Sequence, residues 1–482
     1  MRSMVILDVQ WHAYRLPFVG ALSEARFNSF APEGGEESVE PFSKTRFNSF
    51  APFATAHGVM AVREGAIVEV ITEQGVSGIG EIAPLPEFGG GNLSDALTAL
   101  PTLVARLRGK TLAKALDLLH TAVVERHLSP LSPMSPMSPM SPCSKNLPVK
   151  RAPRMITRAL ACGLEIALLD ALGKVEGCGI STLLSSAGAS PRPGVQVNAV
   201  VGARATEAAV TAAKEAVAAG FGCVKLKVFQ DPQTFQYPQT GRERTLLLPP
   251  SRGKYRHQAL KSQVKMHQGE VARVAAVREA IGPDIRLRLD ANEAWSLEQA
   301  IAILSNCAQF DIQYVEQPIK ASDLAGMRTL RQAVPIPIAA DEALYDLESA
   351  RRILDSQAAD ILIVKPQLAG GLRVGRQIIQ EAAQRGIRSV VTSTIETGIG
   401  LVAALHLAAA SPEITLECGL ATRHLLVDDL LVDDLPIRNG FLAVPTGPGL
   451  GVVLDREALD KYSLSVGADS SCPSPIYRPQ RE

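Results

Sequence analysis

The 482-residue sequence has no excess of charge of one sign: 49 Lys and Arg stand against 49 Asp and Glu. That balance removes the electrostatic basis for holding nucleic acid or an anionic membrane face. No apolar run approaches the roughly 18 residues that a bilayer crossing needs, so no membrane partner is expected. Cysteine is sparse. Cys143, Cys162, Cys178, Cys223, Cys307, Cys418 and Cys472 are odd in number and contain no C-x-x-C pair, which speaks against a disulfide framework or a structural zinc site and for a reducing compartment. The eight histidines form no H-x-x-x-H or H-E-x-x-H spacing, so the common zinc-hydrolase helix is excluded. The glycines at 78, 80, 370 and 371 open no G-x-G-x-x-G turn, which argues against a dinucleotide fold. The alternation of a strand begins almost at the first residue, so no signal peptide is expected.

Hydrophobic residues make up 46% and charged residues 20% of the chain, the composition of a globular protein with a sizeable core. Several segments stand apart from that core. Residues 129–142 read SPLSPMSPMSPMSP, an extended low-complexity loop in which proline removes backbone donors and serine adds no apolar surface. RFNSFAP at 26–32 recurs at 46–52, LVDDL at 426–430 recurs at 431–435, and 230–265 and the tail beyond 461 look like unpacked additions. The remainder opens with strands over 5–14, 66–72 and 76–82 around a turn at Gln74-Gly75, followed by a helix over 154–174 with one apolar face.

From residue 195 the pattern changes. Eight short β-branched runs, at 195, 224, 285, 314, 336, 360, 389 and 414, alternate with amphipathic helical stretches. Such alternation predicts parallel βαβ units closed into a (β/α)8 TIM-like barrel, an α/β fold; an open doubly wound sheet is the alternative. In VKLKV, Lys225 and Lys227 share the face opposite Val224, Leu226 and Val228, and in IRLRLD, Arg286, Arg288 and Asp290 share one face. Lys227, Asp290, Glu316, Asp341 and Lys365 each fall at the C-terminal end of a strand, the last four spaced 26, 25 and 24 residues apart. Active sites of such barrels lie at that end.

Three carboxylates converging from neighbouring strands cannot all ionise without a cation between them. Asp290, Glu316 and Asp341 are therefore candidate ligands of a divalent metal, and oxygen-only donors suit Mg2+. A purely internal salt-bridge network with Lys225, Lys227 or Arg288 is the structural alternative. A metal-bound carboxylate substrate has an acidified α-proton, and Lys227 is the candidate base, its pKa lowered by its surroundings, with Lys365 as a second acid/base or cationic stabiliser on the opposite side. The partner is thus a small-molecule carboxylate; oligomeric state is not encoded in any pattern.

Lys225-Leu-Lys227, Asp290-Ala-Asn292, Glu316-Gln-Pro318, Asp341-Glu342, Lys365-Pro366 and Gly370-Gly371, with GEIAPLPEFG at 80–89 and ALLDALGK at 167–174, resemble the enolase superfamily, muconate-lactonizing subgroup. The resemblance implies an N-terminal α+β capping domain over 1–194 with an insert at about 129–150. A barrel over 195–435 with an insert at about 230–265 comes next, and then a segment over 436–482 that returns to the cap and ends in a disordered tail. TSTIETGIG at 392–400 and ECGLAT at 417–422 look like the o-succinylbenzoate synthase branch. That branch implies Mg-dependent syn-dehydration of 2-succinyl-6-hydroxy-2,4-cyclohexadiene-1-carboxylate in menaquinone or phylloquinone biosynthesis, in the cytoplasm or a plastid. The resemblance further makes Lys225, Arg288, Asn292, Ser393 and Thr394 candidate supporting or substrate-binding residues. Dipeptide epimerases of the subgroup place an Asp-x-Asp at the eighth strand for the substrate amino group, where this chain has Glu417-Cys418-Gly419. An N-succinylamino acid racemase, epimerase or cycloisomerase with the same two lysines is the alternative activity, and a catalytically dead barrel serving as a scaffold is the alternative class.

Overall fold

The computed structural model describes residues 4–19, 53–55, 58–88, 90–124, 157–186, 188–229 and 269–464. The SPM-rich segment, both copies of RFNSFAP, the 230–265 insert and the tail beyond 464 lie outside the described residues. An N-terminal antiparallel sheet places Val62–Thr72 between Ile6–Pro17 and Ser77–Ile82. Gly75, with φ of 79°, makes the tight turn between Val62–Thr72 and Ser77–Ile82. Helix Arg158–Glu176, capped by Thr157 at its start, packs on Ser77–Ile82. Its sequence predicts one buried face, but burial runs nearly all the way round and includes Glu165 and Asp170. The reason is its position between the sheet and the barrel. On the sheet side Gly80 lies so close that a Cβ there would collide with the Gly163 carbonyl. Asp170 is satisfied by the amides of Ile79 at 2.8 Å and Leu450 at 2.7 Å and by Lys174 Nζ at 2.7 Å.

The barrel is a sheet of seven parallel strands in sequential order: Ala199–Val201, Cys223–Lys227, Arg286–Asp290, Ile312–Glu316, Ile338–Ala340, Ile361–Val364 and Arg388–Val391. The eighth run, ITLEC, forms no ladder of its own. It closes the cylinder through single bridges, Val197 to Cys418 on one side and Thr392 to Gly419 on the other. The curled parallel sheet is the architecture expected from the strand and helix alternation, and the cap over it is the one that the resemblance implies. Its register pairs Lys227 with Asp290, Asp290 with Glu316, and Glu316 with Ala339, so the charged strand ends finish level. Below them Tyr314, Ala339, Ile361, Ile363 and Val390 fill the interior with an apolar layer.

Buried carboxylates from the N-terminal sheet and helix fasten them to barrel helices. Glu81 accepts from Thr397 N at 3.0 Å, Thr397 Oγ1 at 2.6 Å and Gly400 N at 2.8 Å at the start of helix Gly398–Ala409, where exposed amides and the helix dipole favour an anion. Tyr14 Oη donates to the same carboxylate at 2.5 Å. Glu165 accepts from Leu372 N, also at 2.5 Å, at the start of helix Leu372–Gln384. The C-terminal strand Phe441–Ala443 pairs with Gly194–Gln196, and Arg456 reaches Glu69 of the N-terminal sheet at 2.9 Å. The two LVDDL copies do different things. In the first, Asp429 accepts from Gly398 N at 2.7 Å and Leu430 is buried; in the second, Val432 is 60% exposed. No helix among the described residues is long and apolar enough to cross a membrane.

Burial pushes the Glu165 carboxyl up to about 7, against the opposing pull of the Arg373 and Leu372 amides. A carboxyl raised in the folded state stabilises it fully below the unfolded value of about 4.5, and that contribution is lost as pH rises through about 7. The total is on the order of 3 kcal/mol. Glu165→Gln keeps an acceptor for Leu372 N and cannot titrate. We therefore expect the melting temperature of Glu165→Gln, relative to wild type, to climb between pH 4.5 and pH 8; a difference that stays flat or falls contradicts this assignment.

Candidate functional site

The strand Cys223–Lys227 is buried at every position, and its alternation turns Lys225 and Lys227 into the cylinder while Val224 and Leu226 face the helices. Lys225 Nζ donates to both oxygens of Glu316 at 3.0 and 3.1 Å and lies 2.9 Å from Asp290 Oδ2. Lys227 Nζ reaches the same Asp290 oxygen at 2.7 Å and Asn292 Oδ1 at 2.6 Å. On the far side Lys365 Nζ donates to Asp341 Oδ2 at 2.6 Å. All six charged groups are at most 8% exposed. The lysines on the second and sixth strands thus flank a row of three acids, and Asn292 links Lys227 to Glu342 through a 2.8 Å bond from its amide nitrogen.

Electrostatics inside the mouth are lopsided. Burial pushes Asp290 up, but the ammonium groups of Lys225 and Lys227 outweigh it and hold this carboxyl below the usual range. Burial and the neighbouring Asp290 charge instead push Glu316 up to about 8, and burial raises Asp341 despite Lys365. At Lys365 burial pulls the amine down, yet Asp341, Glu342 and Glu316 together hold it above its ordinary value.

Whether these residues suit a divalent cation can be judged from the donors themselves. Among the described residues no three acids, histidines or cysteines stand grouped as a coordination shell; the lysines stand between the acids, as in the salt-bridge alternative. The donors nevertheless fit a hard ion. All are carboxylate oxygens, and Asp290 Oδ1 is buried without a hydrogen-bond partner.

The remaining candidates separate. Arg288 lies below the acids rather than beside them. Its guanidinium is fully buried, bonded to Glu417 Oε2 at 2.6 Å, Gln313 Oε1 at 2.7 Å and Asn198 Oδ1 at 3.2 Å, and stacked 4.7 Å from the Tyr314 ring. Glu417 is thereby drawn to the lower layer by Arg288 and Arg286, which leaves Gly419 at the upper end of the eighth stave. A cavity of about 260 Å³ lined by Arg192, Arg286, Gln313 and Glu417 opens at this opposite end of the barrel. Ser393 Oγ pairs with Thr422 Oγ1 at 2.7 Å, while Thr394 is occupied by Glu396 through both its amide at 2.8 Å and its hydroxyl at 2.5 Å. Two neighbours of the lysines were not singled out from the sequence. Phe88 of the GEIAPLPEFG segment places its ring 4.4 Å from Lys365 Nζ, and Arg273 binds the Lys227 carbonyl. The first had a signal, an aromatic in a segment quoted for its resemblance; the second had none, because the 230–265 insert separates it from Lys227.

A parallel barrel with lysines and carboxylates at its strand ends, under an α+β cap, defines a class of barrel enzymes. Residues 208–458 match the model of the enolase C-terminal domain-like family, and 41–185 that of the mandelate racemase / muconate lactonizing enzyme N-terminal domain. The chain belongs to this enolase superfamily, whose shared chemistry is isomerisation or elimination on carboxylate acids. The finer expectation of an o-succinylbenzoate synthase is corrected by how far the similarities extend. The synthase of Thermobifida fusca is 41% identical over 175 residues only, 36% of this chain and 54% of its own length. The L-Ala-D/L-Glu epimerase of Bacillus subtilis is 26% identical over 404 residues, 83% of this chain and 92% of its own. The muconate lactonizing enzyme of Pseudomonas fluorescens superposes with a TM-score of 0.71 at 21% identity, covering 96% of this chain and all of that one, a likeness of fold. Sequence similarity to the epimerase runs most of the length of the chain, and the short 392–400 and 417–422 motifs misled because they sample only two loops.

The layer assignment of Arg288 has a direct test. Arg288→Met leaves Glu417 with the exposed Arg286 alone inside the barrel, and removal of one partner of such a buried pair costs about 3 kcal/mol. Urea denaturation is expected to register that loss while stabilisation by added Mg2+ stays as in wild type. Abolished Mg2+ stabilisation in a folded Arg288→Met protein would instead put Arg288 in the upper layer.

Proposed function

We propose that the protein is a racemase or epimerase that moves the α-proton of a carboxylate substrate whose amino group is blocked by an acyl group, using Lys227 and Lys365 on opposite sides. The observation that carries this reading is the pair of buried lysines flanking the acid row from the second and sixth strands. A single elimination needs one base; a proton removed from one face and returned to the other needs two. The blocked amino group follows from the eighth stave, where the only acid, Glu417, is held below by Arg286 and Arg288. Among the described residues, the eighth stave offers a free ammonium no counter-charge at Gly419. The sequence similarity to the Bacillus subtilis epimerase over most of both chains supports the same reaction class.

Asp290, Glu316 and Asp341 are the residues that would hold Mg2+. When bound, the ion supplies positive charge where a substrate carboxylate gains negative charge on losing its α-proton. The protein's own groups do the rest. Lys227 is steered by Asn292 Oδ1 and takes or gives the proton at Nζ on one side. Lys365, between Asp341 and the Phe88 ring, does so on the other. Lys225, bound to Glu316 and Asp290, keeps the acid row in place. The buried mouth excludes water, which strengthens each of these charge interactions. The division of the chain into a cap over 1–194, a barrel over 195–435 and a returning segment is part of the same proposal.

The test is proton exchange in D2O. With Mg2+ present, wild type is expected to wash out the α-proton of N-acylamino acids of both configurations, and chelation should stop it. Lys227→Ala and Lys365→Ala should each lower racemisation by a factor on the order of 10² to 10⁴, the usual worth of a positioned acid or base. Undiminished racemisation in either variant, or a preference for the free amino acid, would sink this reading; unchanged behaviour of all variants in every assay would favour the scaffold.

A further inference from the structure

Lys227 and Lys365 are held in place by different residues that approach from different parts of the fold. The strand bearing Lys227 ends at that residue, and its carbonyl accepts from Arg273, which is 3% exposed. Arg273 is itself pinned. Its other terminal nitrogen donates to Ala203 O at 3.0 Å, and Glu270, one turn earlier in the helix 269–281, accepts at 2.6 Å. The ring of Phe229, two residues past Lys227, has the guanidinium of Arg204 at 4.4 Å and that of Arg273 at 5.4 Å from its centre. The Arg273 guanidinium thus ties the end of this strand to the start of the helix 269–281.

Lys365 has no such clamp on its backbone carbonyl, which accepts instead from the amides of Leu368 at 3.0 Å and Ala369 at 2.9 Å. Its Nζ faces the Phe88 ring at 4.4 Å, a distance at which the negative face of the π system attracts an ammonium. The ring is fixed in turn by an apolar cluster of Phe18, Leu85, Ile395 and Leu426, against which it packs. Phe88 therefore presses on Lys365 from the N-terminal segment, whereas Arg273 grips Lys227 from within the barrel.

We propose that Arg273 and Phe88 are positioning residues, one for each lysine, so that the two faces of proton transfer can be weakened one at a time. The inference rests on the two-base reading above. It places Arg273 and Phe88 outside the acid row, acting on the placement of an amine and not on the carboxylates. Misplacement of a reacting group by about 1 Å can cost about 10²-fold in rate, so a partial loss of grip should appear clearly on the face it serves.

The experiment measures initial loss of the α-proton in D2O from N-succinyl-L-phenylalanine and, separately, N-succinyl-D-phenylalanine, with Mg2+ and full-length protein. For each variant the rate for one enantiomer is divided by the rate for the other, so any loss of folded protein cancels. Arg273→Lys is expected to change this ratio about tenfold or more in one direction, Phe88→Leu by a similar factor in the opposite direction, and Phe88→Tyr to restore the wild-type ratio. Ratios that stay within about twofold of wild type, or that move in the same direction for Arg273→Lys and Phe88→Leu, overturn the proposal. A wild-type protein that exchanges neither enantiomer overturns the two-base reading itself, and this inference with it.

Discussion

Three lysines and three carboxylates face one another inside the mouth of the barrel, and the burial of all six is the constraint that the surrounding architecture has to satisfy. An isolated charge in such a place would be prohibitive, and a pair is tolerable only where geometry and further hydrogen bonds are good. The strand register meets that condition by finishing Lys227, Asp290 and Glu316 on one level. Asp290 Oδ2 serves two ammonium groups at once while Asp290 Oδ1 keeps no partner. The pairs restrain one another, and an amine engaged with a carboxylate is not free to take a proton. Exchange of those partners for a hard cation and a substrate carboxylate is the change that the proposed chemistry requires.

The N-terminal sheet and helix do more than cover this mouth. Glu81 and Glu165 insert carboxylates against the starts of the two barrel helices that come after the sixth and seventh strands. Phe88 continues from the same sheet toward Lys365. Contacts that set the position of one lysine therefore originate in a segment remote in sequence. The other lysine depends on Arg273, within the barrel. A lower layer, in which Arg288 and Arg286 hold Glu417, keeps a further set of charges apart from the acids above.

Much of this was legible in the sequence for a physical reason. Period-2 alternation in VKLKV and IRLRLD fixes which side chains enter the cylinder, and a spacing near 25 residues marks successive βα units, so the barrel and its row of charged strand ends could be read directly. The eighth run could be counted but not its weak pairing, because closure through single bridges leaves no trace in composition. Arg288 shows the limit more clearly. Alternation puts it on the same face as Asp290, but two residues along a strand is a full layer of a barrel, and only the partner Glu417 decides which layer it serves. Helix 158–176 hides its burial similarly: its own residues give one apolar face, and the amides of Leu372, Ile79 and Leu450 that let Glu165 and Asp170 be buried arrive from elsewhere. Local loop motifs proved the weakest guide, since two short segments resembled a synthase while similarity across the chain runs to an epimerase.

The proposed chemistry stands or falls on whether Asp290, Glu316 and Asp341 share one divalent ion at the expense of their lysine partners. Anomalous diffraction from crystals soaked in Mn2+ answers this without recourse to any substrate. A single strong peak is expected within about 2.2 Å of oxygens from all three carboxylates, with the ion pairs of Lys225 and Lys365 lengthened or broken. Crystals that keep every lysine pair intact and carry no peak among these acids would contradict it.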